Sequence, residues 1–310
     1  VLNRLKNRQK EYGFGNTTFA NNQRIINKDG SFNVNRIGLN FFDKFSLFHF
    51  MINSKWITFI SLVVLGYFLS ATFFAMIYYT LGISHFNGVV VLDKISIFLE
   101  FFFYSTQTFA TVGYGRINPA SATASLVSSV DSLTGVLYFA IVTGMLFARF
   151  SMPKTKILFA ENAVVAKYQE GTAIMFRIAN QLPQPLQNAS VRVIASYIMK
   201  EQLNTRQYFE LQLERNEIVF FATSWTIVHP ITEESPFYNL SINAFNELEP
   251  EFLMQLKVYD PSYNQDVFIN TSYRKEEFEW HKRYAPILVS TEKNNYIDFS
   301  QFNTLIDENS

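Results

Sequence analysis

The chain has no cysteine. That excludes a disulfide scaffold, thiolate metal sites and a cysteine nucleophile. It has no excess of either charge: 26 Lys plus Arg balance 26 Asp plus Glu. The usual argument for nucleic-acid binding starts from a basic excess, so it has no footing here. Histidine is sparse. His49, His85, His229 and His281 never fall at i, i+4, so no helical zinc pair forms, and each reads as a surface or interface residue. Charged residues make up only 17 % of the 310 positions, against roughly 25 % in a soluble domain. Aromatic residues take their place, with 33 Phe and 16 Tyr. Such a mixture fits a protein that lies partly in a bilayer, and the length allows two domains of ordinary size.

From Trp56 to Ser84 there is no Asp, Glu, Lys, Arg or His. A helix needs about 20 apolar residues to cross the hydrocarbon core. This run exceeds that, with Trp56 at one end and Tyr78-Tyr79 at the other as interfacial anchors. It starts too far into the chain and runs too long for a signal peptide. A second run, about Ala120 to Phe150, carries one charge, Asp131, before Arg149. Near these two spans, Lys44, Lys55, Arg149, Lys154 and Lys156 lie outside the connecting segment, which holds only Lys94 and Arg116. Positive charge marks the cytoplasmic side, so both termini are expected there.

The connecting segment is not the polar loop such topology would suggest. Lys94 to Phe109 is apolar and aromatic but spans only about 23 Å as a helix, too short to cross. It reads as a re-entrant helix. It runs into Thr111-Val112-Gly113-Tyr114-Gly115. Non-helical backbone at membrane depth is tolerated only where it is buried in protein or lines a water-filled path. The two glycines admit conformations that other residues resist, which lets successive carbonyls face one axis. This is the potassium-filter loop, in which four copies supply rings of carbonyl oxygens that replace the ion's water. The Thr111 hydroxyl would complete the innermost site. One loop cannot enclose an ion, so a tetramer is required. A chance match to this pentapeptide is on the order of one in several thousand for a chain this long.

With the filter in view, the sequence resembles the inward-rectifier potassium channels, in their prokaryotic (KirBac-like) branch, nearly end to end. The segments that carry the resemblance are RIINKDGSFNVNRIG (24–38), FFFYSTQTFATVGYG (101–115), LFARFSMPKTKILFAENAVV (146–165), SWTIVHPITEESPFYNLS (224–241) and SYRKEEFEWHKRYAPIL (272–288). The resemblance implies a membrane α plus all-β fold. A two-helix pore with pore helix and filter would be followed by an immunoglobulin-like β-sandwich in the cytoplasm, assembled as a homotetramer. It divides the chain into a cytoplasmic segment (1–38), an interfacial slide helix (39–55), a pore domain (56–152) and a β-domain (153–310). It implies potassium at Thr111, Val112, Gly113 and Tyr114, no cofactor and no enzymatic activity. It also implies regulation by anionic lipid, phosphoinositides among them, of either sign. The missing cysteine pair and the bacterial-like linker from Pro153 to Ala160 place it in a prokaryotic inner membrane.

Several positions depart from the family pattern. Gln107 stands where many members have an acid that pairs with the basic residue after the filter, so Arg116 loses that partner and Asp131 becomes the substitute candidate. Phe139 and Asn188 occupy positions that are acidic in strong rectifiers, so rectification by polyamines or magnesium should be weak. Phe147 matches the bulky residue at the inner-helix crossing, where four rings would gate by dewetting. Gly135 and Gly144 are hinge candidates, Gly135 the better by resemblance, with close packing as an equal alternative. Lys44, Lys55, Arg149, Lys154 and Lys156 are lipid-binding candidates, although positive-inside topology explains them equally well.

The remainder reads from local pattern. Leu39 to Ile52 carries Phe41, Phe42, Phe45, Phe48 and Met51-Ile52 on one face, as an interfacial helix does. From Ile157 onward about seven short strands alternate with turn signals, the mark of a sandwich; one of them is the unbroken run Glu217 to Val228. Two other functions compete with a selective channel: a cation channel of relaxed selectivity, because of Gln107, and a membrane-anchored ligand-sensing module with a closed pore.

Overall fold

A computed structural model describes residues 12, 24–35, 37–38, 40, 46–90, 93–153, 155–199, 205–290 and 294–308. The chain divides into two compact units, Ile37–Met152 and Val1–Arg36 with Pro153–Ser310.

The first unit is helical. A short helix, Leu47–Asn53 (α1), is capped by Ser46, whose hydroxyl accepts from the His49 amide. Met51 and Ile52 are buried, while Leu47, Phe48 and Phe50 are exposed. Phe48, expected on one face with Met51 and Ile52, is thus exposed where they are buried. Phe41, Phe42 and Phe45, expected on the same face, lie outside the described residues. Helix α2, Trp56–Leu81, and helix α4, Ala122–Phe150, are the two spans, 26 and 29 residues long. They reach about 39 and 44 Å. Between them lies α3, Lys94–Phe109, capped by the Asp93 carboxylate on the Ser96 amide. The buried residues of α3, Phe101, Tyr104, Ser105 and Phe109, fall on one helical stripe. Phe101 and Tyr104 cluster with Phe74, Ala75 and Tyr78 of α2 and the small Ala124 of α4. Three of the buried residues of α4 are small (Ala124, Ser128, Gly135), which lets its backbone approach α3 closely. Two-residue strands Phe86–Asn87 (β1) and Asn118–Pro119 (β2) pair antiparallel beyond the filter.

The second unit is a β-sandwich. Its strands are Ile157–Phe159 (β3), Ala163–Tyr168 (β4), Gly171–Asn180 (β5), Leu186–Met199 (β6), Thr205–Glu210 (β7), Glu217–Phe221 (β8), Ser224–Pro230 (β9), Glu251–Asp260 (β10), Gln265–Arg274 (β11), Phe278–Trp280 (β12), Lys282–Tyr284 (β13), Leu288–Ser290 (β14), Asn295–Ile297 (β15) and Leu305–Asp307 (β16). A helix, Ile242–Glu247 (α5), precedes β10. One sheet runs β11-β10-β6-β7 with β8 also on β6; the other runs β12-β4-β5-β3 with β9 also on β5. The run Glu217 to Val228 is therefore not one strand. It breaks at Ala222-Thr223, and its halves join opposite sheets. The fourteen described strands of this unit also exceed the expected seven, β3 and β12 to β16 being additional. Alternating residues of both sheets form the core, with an aromatic centre of Phe176, Phe245, Phe252, Tyr273 and Phe278 in mutual ring contact. Each such ring buried contributes about 1.5–3 kcal/mol.

The amino-terminal segment belongs to this unit. Ile26 bridges to Phe32, and Ile25 and Ile26 pack on Leu253. The Glu251 carboxylate accepts from the Ile25 and Ile26 amides at 2.7 and 3.3 Å. Arg24 and Lys28 both pair with Glu277. His229, expected at a surface, is instead 2 % exposed. One ring nitrogen faces the Gln212 carbonyl at 2.6 Å, and the other faces the Ser235 hydroxyl at 2.8 Å.

Candidate functional site: a loop of alternating hand between two spans

Helix α3 ends at Phe109, and its last turn organises the loop Thr111–Gly115. The Gln107 carbonyl accepts from the Val112 amide at 2.8 Å and the Gly113 amide at 3.3 Å. Thr111, Gly113 and Gly115 have φ of 58°, 56° and 82°, while Val112 and Tyr114 between them are not in the positive region. Alternation of hand keeps successive carbonyls on one side of an extended chain. Gly113 and Gly115 adopt it freely. Thr111 does not, because a β-branched residue at positive φ is strained. Such strain persists where surrounding structure enforces it, and here the Thr111 amide is held by the Thr108 carbonyl at 3.0 Å.

Asp131 sits behind this loop. It is wholly buried, and one oxygen accepts from Tyr78 Oη at 2.7 Å and Ser105 Oγ at 3.0 Å. It thus joins α2, α3 and α4. Its other oxygen is buried with no partner among the described residues. Tyr104 and Ser128 bond at 2.8 Å beside it, and Tyr67 donates to the Thr106 carbonyl at 3.0 Å. Buried polar groups of this kind are costly unless bonded and so fix a unique packing.

Asp131 is not the acid of Arg116, which corrects the expected pairing. The Arg116 guanidinium pairs with Glu100, two turns of α3 before Gln107, and also donates to the Gly88 carbonyl at 3.3 Å. Gly88 has φ of 79°, and a Cβ there would lie 1.9 Å from the Arg116 carbonyl oxygen. The chain just after Gly115 is thereby fastened to the loop after α2. Glu100 was missed because the acid was sought beside the filter rather than two turns upstream. Its spacing of seven from Gln107 is the signal that could have found it.

The inner end of α4 holds the remaining candidates. Phe147 is 73 % exposed within the subunit. Phe139 rests against Tyr67, Phe109 and Tyr138. Gly135 is buried, and a Cβ would stand 1.9 Å from the Phe109 carbonyl oxygen; Gly144 has open space around it. Close packing therefore accounts for Gly135. Arg149, a lipid-binding candidate, is only 8 % exposed. Its guanidinium donates to the carbonyls of Met51, Ile52 and Ser54 and lies over the Trp56 and Phe59 rings. It faces protein, so the lipid assignment is corrected for this residue. Lys55 and Lys156 are exposed; Lys44 and Lys154 lie outside the described residues. Asn188 is exposed, at φ of 48°, in β6.

A re-entrant helix that delivers a strained, carbonyl-aligning loop between two spans, with a β-sandwich appended, defines a two-span pore-loop membrane protein. Comparison with known proteins narrows the class. The family model described as inward rectifier potassium channel transmembrane domain matches residues 26–153, and the inward rectifier potassium channel C-terminal domain matches residues 157–309. The chain is similar to inward rectifier potassium channel Kirbac3.1 of Paramagnetospirillum magnetotacticum, with 28 % identity over 276 residues, covering 87 % of this chain and 91 % of the relative. The chain belongs to the inward rectifier potassium channel family, in its prokaryotic, KirBac-like branch. Among solved structures, a late embryogenesis abundant (LEA) protein aligns at TM-score 0.22 and 14 % identity, covering 50 % of this chain and 87 % of that one. Alkylpurine DNA glycosylase AlkC of Pseudomonas fluorescens aligns at 0.20 and 9 %, covering 58 % and 51 %. Likeness at that level carries no argument.

Proposed function

We propose that the chain forms a homotetrameric, potassium-selective passive channel in a prokaryotic inner membrane, with both termini cytoplasmic. The observation that carries this reading is the alternation of φ through Thr111–Gly115 at the end of α3, because it suits a backbone that presents carbonyls to a dehydrated ion. Thr111, Val112, Gly113 and Tyr114 would bind K+, and no cofactor is called for. Residues 1–38 form the cytoplasmic lead, 39–55 the interfacial region, 56–152 the pore domain and 153–310 the cytoplasmic β-domain. Phe147 would form the constriction, with Gly144, which is free of packing, as the hinge. Asp131, through Tyr78 and Ser105, supports α3 from behind; Gln107 anchors the filter entry, and Glu100 with Arg116 its exit. Rectification is weak, since neither Phe139 nor Asn188 can hold a blocking cation. Anionic lipid, phosphoinositides included, would be met by Lys55 and Lys156, together with Lys44 and Lys154.

The test is rubidium-86 uptake into liposomes containing the purified full chain. Uptake should require a potassium gradient, fail in a sodium gradient and be blocked by barium. Thr111→Ala removes four oxygen ligands from the tetramer, and loss of one alone, at about 1.4 kcal/mol, is tenfold, so uptake should fall by at least about tenfold without loss of the tetramer. Equal sodium and potassium flux in the unaltered protein would overturn selectivity.

A further inference from the structure

The last four carbonyls of an α-helix find their partners beyond its own ladder. In α3 they belong to Thr106, Gln107, Thr108 and Phe109, and they shape the loop that follows. The Gln107 carbonyl takes the Val112 and Gly113 amides, and the Thr108 carbonyl takes the Thr111 amide. The Phe109 carbonyl lies against the bare backbone of Gly135. The Thr106 carbonyl takes the Ala110 amide at 3.1 Å and, at 3.0 Å, the hydroxyl of Tyr67 from α2. Among the described residues, Tyr67 is the one side chain of another helix that bonds to this set.

Tyr67 reaches that carbonyl from a fixed seat. Its ring meets Phe109 of α3 edge-on at 5.5 Å and Phe139 of α4 at 6.4 Å, the tilted contacts that aromatic pairs prefer. A second tyrosine works beside it. Tyr138 of α4 donates to the Val63 carbonyl, one turn before Tyr67. It lies over Gly66, where a Cβ would stand 2.9 Å from its hydroxyl. That bond ties α4 to α2 and leaves α3 alone. The two hydroxyls therefore divide the packing of this level: Tyr138 sets α4 against α2, and Tyr67 sets the end of α3 against α2.

We infer that Tyr67 is a positioning residue for ion selection: its hydroxyl fixes the last turn of α3 and, through the Gln107 and Thr108 carbonyls, the backbone of Thr111–Gly115. This rests on the reading of that loop as the potassium filter. Thr111 stands at φ of 58° against the preference of its own side chain, and such strain holds only where neighbours enforce it. The enforcing atom is the Thr108 carbonyl, two residues beyond the carbonyl that Tyr67 holds. Without the hydroxyl the last turn is free to rock on its contact with Gly135, and Thr111 relaxes. Potassium and sodium carry equal charge, so the arrangement and number of the carbonyls must tell them apart. Sodium gains when that arrangement loosens. The packed rings stay in place, so fold and assembly persist.

The experiment uses the full chain in vesicles, with barium-sensitive rubidium-86 and sodium-22 uptake read in parallel. Tyr67→Phe keeps the ring and removes the donor. Its rubidium-to-sodium ratio should fall at least about fivefold, within what a hydrogen bond lost in each of four subunits carries. p-Aminophenylalanine in place of Tyr67, introduced by amber suppression, supplies a donor again and should restore most of the ratio. Tyr138→Phe keeps its ring on Phe109 and loses a bond of the same kind; it should lower the melting temperature of the tetramer and keep the ratio. If Tyr67→Phe does not assemble, a tandem dimer with one altered copy takes its place, and its ratio should fall by a smaller factor. An unchanged ratio in the Tyr67→Phe protein or its tandem dimer, an equal fall in Tyr138→Phe, or p-aminophenylalanine no better than phenylalanine would each overturn the proposal. The unaltered protein separates the two readings. If it admits sodium as freely as potassium, the filter reading fails and this one with it; if it is selective and Tyr67→Phe equally so, the role of Tyr67 alone fails.

Discussion

Gly135 shows how much a single atom decides. A Cβ there would meet the Phe109 carbonyl oxygen at 1.9 Å, which is backbone and cannot step aside. Gly135→Ala should therefore displace the end of α3 and cost about 1–3 kcal/mol, as overpacking does. The check is the melting temperature of the assembled protein in detergent, with Gly144→Ala as the comparison, since nothing lies within 4 Å of a Cβ at Gly144. Tyr78→Phe should act on the same region by a different route. It leaves Asp131 with Ser105 as its remaining donor among the described residues and should cost about 1–3 kcal/mol, the ordinary penalty for an unmet buried acceptor. Neither Asp131 contact could be read from the sequence, which marks Asp131 as an intramembrane acid but not which helix it faces.

At the scale of elements, two carboxylates hold the amino-terminal segment, Glu251 on its amides and Glu277 on Arg24 and Lys28. Glu251 is 1 % exposed, and burial pushes its carboxyl above the usual range. It nevertheless accepts from two backbone amides of the segment. Glu251→Ala should release residues 24–33 and speed tryptic cleavage at Arg24 and Lys28 by roughly tenfold or more, because it removes bonds worth about 1.5–3 kcal/mol. Glu251→Gln keeps an acceptor and should cleave more slowly than Glu251→Ala; equal rates for the two would show that the carbonyl acceptor does not hold the segment. The element scale is also where the sequence proved partly legible. The two spans and α3 were readable because charge is absent from long runs and because 16 residues cannot cross. The irregular backbone of Thr111–Gly115 was readable because its two glycines admit conformations other residues resist. The break at Ala222-Thr223 was not, since neither residue is a glycine or proline and β8 and β9 differ only in which sheet they join. The α1 carbonyls that hold Arg149 were equally hidden, because backbone groups leave no trace in side-chain pattern.

For the whole molecule, pH acts on the β-unit through His229. Burial holds its imidazole below the ordinary range, so the folded ring is neutral where the unfolded one, titrating near about 6.5, takes up a proton. Its contribution to stability is complete above that value and is lost as pH falls from there toward the depressed folded value. The melting temperature of the β-signal in circular dichroism should drop between about pH 7.5 and 5.5, and His229→Gln should flatten that drop. Glu251 has the opposite sign, because a raised carboxyl pKa makes the folded state bind the extra proton, so the comparison of variants isolates the histidine. The filter has a larger consequence. Thr111 holds a conformation that its own side chain resists, and aligned carbonyls repel one another. In the proposed assembly, the ion that passes through is then also the ligand that makes its passage worth folding. A species that binds the native form alone stabilises it by mass action, by about 2.7 kcal/mol at a hundredfold excess over its dissociation constant. Tetramers kept in potassium should outlast tetramers kept in sodium when heated, and the difference should shrink in Thr111→Ala. The channel's cargo would thus act as a chaperone of its own road, and its shelf life would depend on the salt in the buffer.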